Sequence, residues 1–305
     1  MHHRHIGPGA LLRSLMLLLL CAAAPIFARP MWGGTGHSLT AAVAEKLISE
    51  RTRQATRSIL RNQSMTDVAS WADDILKYDH WNWTAPMHYR TCKEEYCSWH
   101  HLPPCGNPDC IVDALSDFTE IISSSEQTDK KVSREEALKF VIHFHGDIHQ
   151  PLHFSYYGYG GNSIKGKFCV KDTCDENISI HAVWDYGILG HYFHHDFHSD
   201  FYKLMSHITG EIQTGRWKEK AKDWSNCASL VCPQEWGVET LHVNCRYGSV
   251  HADGHTRIED KFFLGDIYYG RNLPVCLEQI AKGAVRLAAT LERIFNPRGN
   301  GTGQC

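Results

Sequence analysis

The sequence predicts a mainly α-helical single domain with one or two short β-hairpins and several disulfides. Apolar residues recur at helical spacing near both ends of the chain, whereas strand-like alternation is confined to short pieces near Ser163–Val170. No Gly/Ser/Pro-rich linker, low-complexity run or internal repeat divides the 305 residues, so one large domain is expected rather than two small ones.

The elements follow in order. Residues 1–31 read as a secretory leader with a short trimmed segment. Arg4 and Arg13 give the positive start, Leu15–Ala24 an apolar core too short to span a bilayer comfortably, and Ala28 a small residue for cleavage. From Ser38 to Leu60, Leu39, Val43, Leu47 and Ile48 keep a helix period. Ser133-Arg-Glu-Glu136 is a capping box that opens a helix carrying His143 and Asp147, and Pro151 ends it, leaving His153 at a helix end or in a loop. Leu277, Ile280, Ala281, Ala284, Val285, Ala288, Leu291 and Phe295 stripe a long final helix. Residues 297–305 form a tail.

Cysteine usage and charge restrict the function classes. Eleven of the 12 cysteines remain once Cys21 leaves with the leader, too many for a reducing compartment. Cys169–Cys174 and Cys227–Cys232 are close enough in sequence to close small loops. Asn62, Asn82, Asn177 and Asn300 each open a glycosylation sequon, in keeping with secretion or residence in the lumen of the secretory or endolysosomal route. Loss of Arg4, Arg13 and Arg29 takes the formal charge from −3 to −6. Such a chain is not a basic-patch nucleic-acid binder, so affinity for phosphate must come from local metal charge.

The chemistry is concentrated in two runs, His143-Phe-His-Gly-Asp147 with His153 just beyond, and His181-Ala-Val-Trp-Asp185. Both His–Asp pairs are spaced i,i+4, which stacks imidazole and carboxylate on one helix face. Three imidazoles and two carboxylates aimed inward from two helices make a multinuclear zinc site, because Zn²⁺ takes His nitrogen and Asp oxygen. The chain has 21 histidines, and any single one could be an ordinary surface residue; two such pairs with a third histidine are not a scattered pattern. The spacing also allows His145 and His149, on the opposite side of the same helix, as an alternative ligand pair.

The residues Trp32-Gly-Gly-Thr-Gly-His37, Ala69-Ser-Trp-Ala-Asp73, Met87-His88-Tyr89, His143–Asp147, Gln150-Pro-Leu-His153, Gly160-Gly-Asn162 and His181–Asp185, in this order, resemble the zinc-dependent single-strand-specific nucleases. That family includes fungal nucleases, plant bifunctional nucleases and trypanosomatid 3′-nucleotidase/nucleases. The likeness runs from Trp32 to about Ile294. It implies a helical domain over residues 32–296, of the type shared with zinc phospholipase C, holding three zinc ions. One ion would take Asp73, His88, His143 and Asp147; a second His153, His181 and Asp185. The third would take His37, Asp147 and the backbone amine and carbonyl of Trp32, which must then be the mature N-terminus. The resemblance thus selects His143/Asp147 over His145/His149, which become packing or supporting residues.

The resemblance further implies a secreted endonuclease on single-stranded DNA and RNA that releases 5′-phosphorylated products and also removes phosphate from 3′-mononucleotides. Metal lowers the pKa of water to about 7, so hydroxide is available to attack phosphorus near neutral pH. Asp73, Asp147 and Asn162 are the expected catalytic residues; Asn162 also contacts phosphate, and Tyr89 stacks a base. The family pairings imply Cys97–Cys245 and Cys105–Cys110. Leu76 stands where the family often has a basic residue, and Thr91 where it often has aspartate. A monomer without stable membrane insertion is expected. The alternatives are a zinc phospholipase C, disfavoured by Ser-Trp-Ala-Asp73 and Gly-Gly-Asn162, and an inactive secreted zinc-binding glycoprotein.

Overall fold

The computed structural model describes residues 33–93, 97–106, 109–124 and 131–297. The leader, Trp32 and the Asn300 sequon lie outside these residues. Among the described residues, the α-helices of eight residues or more are α1 (Gly34–Leu47), α2 (Glu50–Ile59), α3 (Ile111–Ser123), α4 (Arg134–Asp147), α5 (Ile188–Phe197), α6 (Phe201–Gln213), α7 (Lys218–Ser225), α8 (Pro233–Val243) and α9 (Asp266–Phe295). A small sheet completes the domain: β1 (Lys165–Val170) and β2 (Thr173–Ser179) form an antiparallel hairpin, and β3 (Phe262–Leu264) adds parallel to β1. The fold is therefore mainly helical, with one hairpin.

Local chemistry explains most boundaries. The capping box closes as its sequence requires, with Glu136 N donating to Ser133 Oγ at 3.2 Å and Ser133 N donating to Glu136 Oε2 at 2.8 Å. The apolar period across Ser38–Leu60 belongs to two helices rather than one. Ile48 leaves α1 in an extended conformation, and Ser49 starts α2 by accepting from Thr52 N. In α9, every residue of the stripe from Leu277 to Leu291 is buried. This helix begins earlier than its stripe suggests and carries Pro274 in its interior.

Helices α1, α4 and α9 make the central layer. At Gly283 a side-chain Cβ would lie 2.8 Å from the His145 carbonyl, so α9 approaches α4 more closely than any other residue type would permit. Trp184, fully buried, donates its indole N–H to the Gly248 carbonyl and the Tyr268 hydroxyl at 3.1 and 3.0 Å. It thereby anchors the His181–Asp185 segment to α9. Among the described residues, four disulfides join Cys97 to Cys245, Cys105 to Cys110, Cys169 to Cys174 and Cys227 to Cys232. Cys92 and Cys276 are buried free thiols among the described residues. The sequon residues Asn62, Asn82 and Asn177 are exposed. Among the described residues no helix is long and apolar enough to cross a membrane.

Candidate metal centre

The site is assembled from short segments braced against the end of α4. His37 comes from α1, Asp73 from the helical turn Trp71–Asp74, and His88 from the end of the 3₁₀ run Asp79–His88. His143 and Asp147 form the last turn of α4, and His153 follows Pro151 in a 3₁₀ turn. After β2, Ser179 caps the turn holding His181, and the chain then widens into a π-turn at Val183–Gly187 that carries Asp185.

Asp147 is the centre of the arrangement. Its Oδ1 lies 3.3 Å from His37 Nε2 and 3.5 Å from His153 Nδ1, while its Oδ2 lies 3.0 Å from both His88 Nδ1 and His143 Nε2. Asp73 Oδ1 is 3.4 Å from His88 Nδ1 and from His143 Nε2. A second pair, His181 Nε2 and Asp185 Oδ2, stands 3.1 Å apart beside His153. Three groups bring ligand atoms close enough to share a cation: His37/His143/Asp147, Asp73/His88/His143 and His153/His181/Asp185. All eight described residues predicted as ligands fall in these groups.

Backbone carbonyls set the imidazoles. His143 Nδ1 donates to the Ala69 carbonyl at 2.8 Å and His181 Nδ1 to the Gly160 carbonyl at 2.7 Å, which leaves each Nε2 with its lone pair facing inward. The Gly160 carbonyl is presented by a turn with left-handed backbone. Gly161 has φ +82°, and a Cβ there would meet Ile180 Cγ2 at 2.6 Å, so the Gly-Gly pair is a steric requirement of the site. Gln150 spans the two halves, donating to Asp185 Oδ1 at 2.5 Å while its own carbonyl oxygen accepts from Leu152 N.

Burial opposes ionisation of Asp73 and Asp147, but the surrounding histidines, His143 foremost, outweigh it. Asp73 is lowered to about 2 and Asp147 is held well below the carboxylate range. The donor set fits a metal. His143 Nε2 and His153 Nδ1 are buried and lie within 3.5 Å of carboxylate oxygens, yet make no hydrogen bond. His37 Nδ1 and His88 Nε2 are likewise buried without partners. Lone pairs of nitrogen and oxygen converging in this way repel unless a proton or a metal cation lies among them, and this His/Asp donor set suits a metal such as zinc.

A cleft of about 710 Å³ opens over the centre. Tyr89, 46% exposed, and Asn162 lie on its wall, and Asn162 Nδ2 donates to the Tyr159 carbonyl at 3.0 Å. Leu76 and Thr91 also line it. Arg90 does not: it is buried, donates to the Pro103 carbonyl and braces the Cys105–Cys110 loop. His145 and His149 face the other way, into α9. Sequence reasoning missed the carbonyls of Ala69 and Gly160, the brace by Gln150, and the exposed rings of Tyr156 and Tyr159 on the cleft rim. The run Tyr156-Tyr-Gly-Tyr159 was the available signal, since four aromatic or glycine residues ahead of Gly-Gly-Asn162 have no core pattern.

Fold and site define a helical protein built around a buried His/Asp centre of the multinuclear-metal type, open to a cleft. The chain belongs to the S1/P1 nuclease family, whose profile matches residues 32–296. It is 31% identical to Endonuclease 4 of Arabidopsis thaliana over 281 residues, covering 88% of this chain and 90% of that one. Nuclease S1 of Aspergillus oryzae is 28% identical over 273 residues (86% and 91%), and Nuclease P1 of Penicillium citrinum 27% over 278 residues (86% and 97%). The protein is thus a hydrolase of the nuclease class.

Proposed function

We propose that this protein is a secreted zinc-dependent endonuclease of single-stranded DNA and RNA that yields 5′-phosphorylated products and also hydrolyses 3′-mononucleotides. The observation that carries the reading is the bridging position of Asp147, whose two oxygens face different histidines. A purely structural zinc is satisfied by four closed ligands, whereas eight ligand residues beneath an open cleft suit catalysis. The domain performing this work is assigned to residues 32–296, after loss of 1–31.

Three zinc ions per chain are assigned: one to Asp73, His88, His143 and Asp147, one to His153, His181 and Asp185, and one to His37, Asp147 and the Trp32 terminus. When bound, zinc would supply a nucleophile from water near neutral pH and neutralise phosphate charge. The chain's own residues do the rest. Asp73 and Asp147 enter as carboxylates and hold the centre together. Ala69 and Gly160 fix the faces that His143 and His181 present. The second amide hydrogen of Asn162 is directed to a phosphate oxygen, and Tyr89 stacks a base, which accepts any base but demands an unpaired strand. Hydrolysis adds hydroxide to phosphorus and a proton to the departing 3′-oxygen, breaking the P–O3′ bond.

The test is a substrate panel on the secreted protein: single-stranded DNA, RNA, duplex DNA, 3′-AMP and phosphatidylcholine. Cleavage of the two single strands and 3′-AMP, with 5′-phosphate ends on the oligonucleotides, is expected. Turnover of phosphatidylcholine alone would replace this reading with a zinc phospholipase C, and inertness on all five with an inactive zinc-binding glycoprotein.

A further inference from the structure

Gln150 is fully buried and does not line the cleft, yet it is hydrogen-bonded to three of the residues assigned to metal. Its backbone N–H donates to the Asp147 carbonyl at 3.0 Å, and its own carbonyl accepts from His153 N at 3.1 Å. Its side-chain oxygen accepts from Leu152 N and so caps the 3₁₀ turn Pro151–Phe154 that carries His153. Its side-chain nitrogen donates to Asp185 Oδ1 at 2.5 Å, 35 positions further along the chain.

Only an amide meets both demands, because it offers an acceptor to the turn and a donor to the carboxylate at once. Capping the turn needs the oxygen alone; the nitrogen serves Asp185. Of the two oxygens of Asp185, Oδ1 is committed to Gln150, and Oδ2 is left facing His181 Nε2 at 3.1 Å. His181 is set separately, by its bond to the Gly160 carbonyl. Gln150 therefore ties His153 and Asp185, two members of one candidate cation group, to each other and to the backbone of Asp147. Such outer partners fix ligand geometry before a metal arrives, and affinity depends on them. We propose that Gln150 is a positioning residue, which sets the spacing between Asp147 and the His153/His181/Asp185 group and thereby how tightly that group holds its ion. The inference rests on the zinc assignment given above.

The experiment counts zinc bound per chain on the purified protein while a competing chelator sets the free zinc concentration. Two variants are compared with the wild type at mildly alkaline pH. Gln150→Glu keeps an oxygen for Leu152 N but offers Asp185 no proton, and Gln150→Met removes both bonds at similar volume. Each is expected to weaken one ion about 10–100-fold and to leave the others as in the wild type. Cleavage of single-stranded DNA, lost at limiting zinc, should return in excess zinc, a rescue that a collapsed fold would not show. Wild-type affinity at every site in a variant with wild-type circular dichroism would overturn the proposal. Equal weakening of all ions, or loss of the fold in both variants, would also overturn it and leave Gln150 a residue of the fold alone. Selective loss of one ion, with a zinc-loaded wild type that cleaves no single strand, would refute the nuclease reading and leave the positioning role standing. A wild type that takes up no zinc would refute both.

Discussion

His149 Nε2 accepts a hydrogen bond from Arg286 Nη1 at 2.7 Å, in the turn just after α4 and on the side away from Asp147. The ring is completed by Nδ1, which donates to the His145 carbonyl at 2.7 Å. Burial first, and then the Arg286 charge, keep His149 neutral by pushing its pKa well below the usual value. Arg286 and Lys282 both reach Glu239 on α8. The histidines that could have competed for metal are instead part of a buried polar layer tying α4 to α8 and α9, beneath the end of α4 that carries the site.

Glu239→Gln should therefore destabilise the fold by about 2 kcal/mol at neutral pH, because two cations lose their shared anion. Burial raises the Glu239 pKa, but Arg286 and Lys282 outweigh it and the net value lies below the ordinary 4.5. A depressed acid contributes its stability above the unfolded-state pKa and loses it as pH falls through the folded-state value. The gap between wild type and variant in urea unfolding should be complete above about pH 5 and close at lower pH. A gap independent of pH would exclude this role.

Gly161→Ala should disable the His153/His181/Asp185 group without unfolding the protein. The added methyl would meet Ile180 Cγ2 at 2.6 Å and requires φ +82° of an alanine, so the turn that offers the Gly160 carbonyl to His181 must shift. Removing such an orienting hydrogen bond lowers metal affinity about 10–100-fold. Zinc titration against a competing chelator measures it; wild-type affinity at all sites would show the turn to be dispensable.

Tyr89→Ala should raise KM for single strands about 5- to 150-fold, from the loss of about 1–3 kcal/mol of stacking, with a smaller effect on kcat. Tyr89→Phe keeps the ring and should behave as wild type. If the phenylalanine variant were as impaired as alanine, the hydroxyl rather than the ring would be the functional group.

The sequence was most legible where one local rule decided the outcome. The capping box at Ser133 fixed the start of α4, and the i,i+4 spacing of His143/Asp147 put both residues on one face. The stripe Leu277–Leu291 located the buried face of α9. Other features depend on contacts between distant segments and leave little local trace. Ser49 interrupts the apolar period as an N-cap, and its backbone N–H is also held by Glu292, 243 positions away. The carbonyls of Ala69 and Gly160 carry no side-chain signature, and the π-turn holding Asp185 follows an ordinary i,i+4 spacing. Residue type and spacing alone gave His145 and His149 the same claim to metal as His143; the motif resemblance separated them, and their packing against Thr290 and Arg286 gives the physical reason.

The most direct measurement is the zinc content of the purified protein and its Asp147→Asn variant, by elemental analysis, alongside cleavage of single-stranded DNA. Asp147 faces both histidine sets, so three zinc ions per wild-type chain are expected, about one fewer in the variant, with cleavage reduced about a hundredfold or more. Equal zinc content and equal turnover in the two proteins would contradict this expectation.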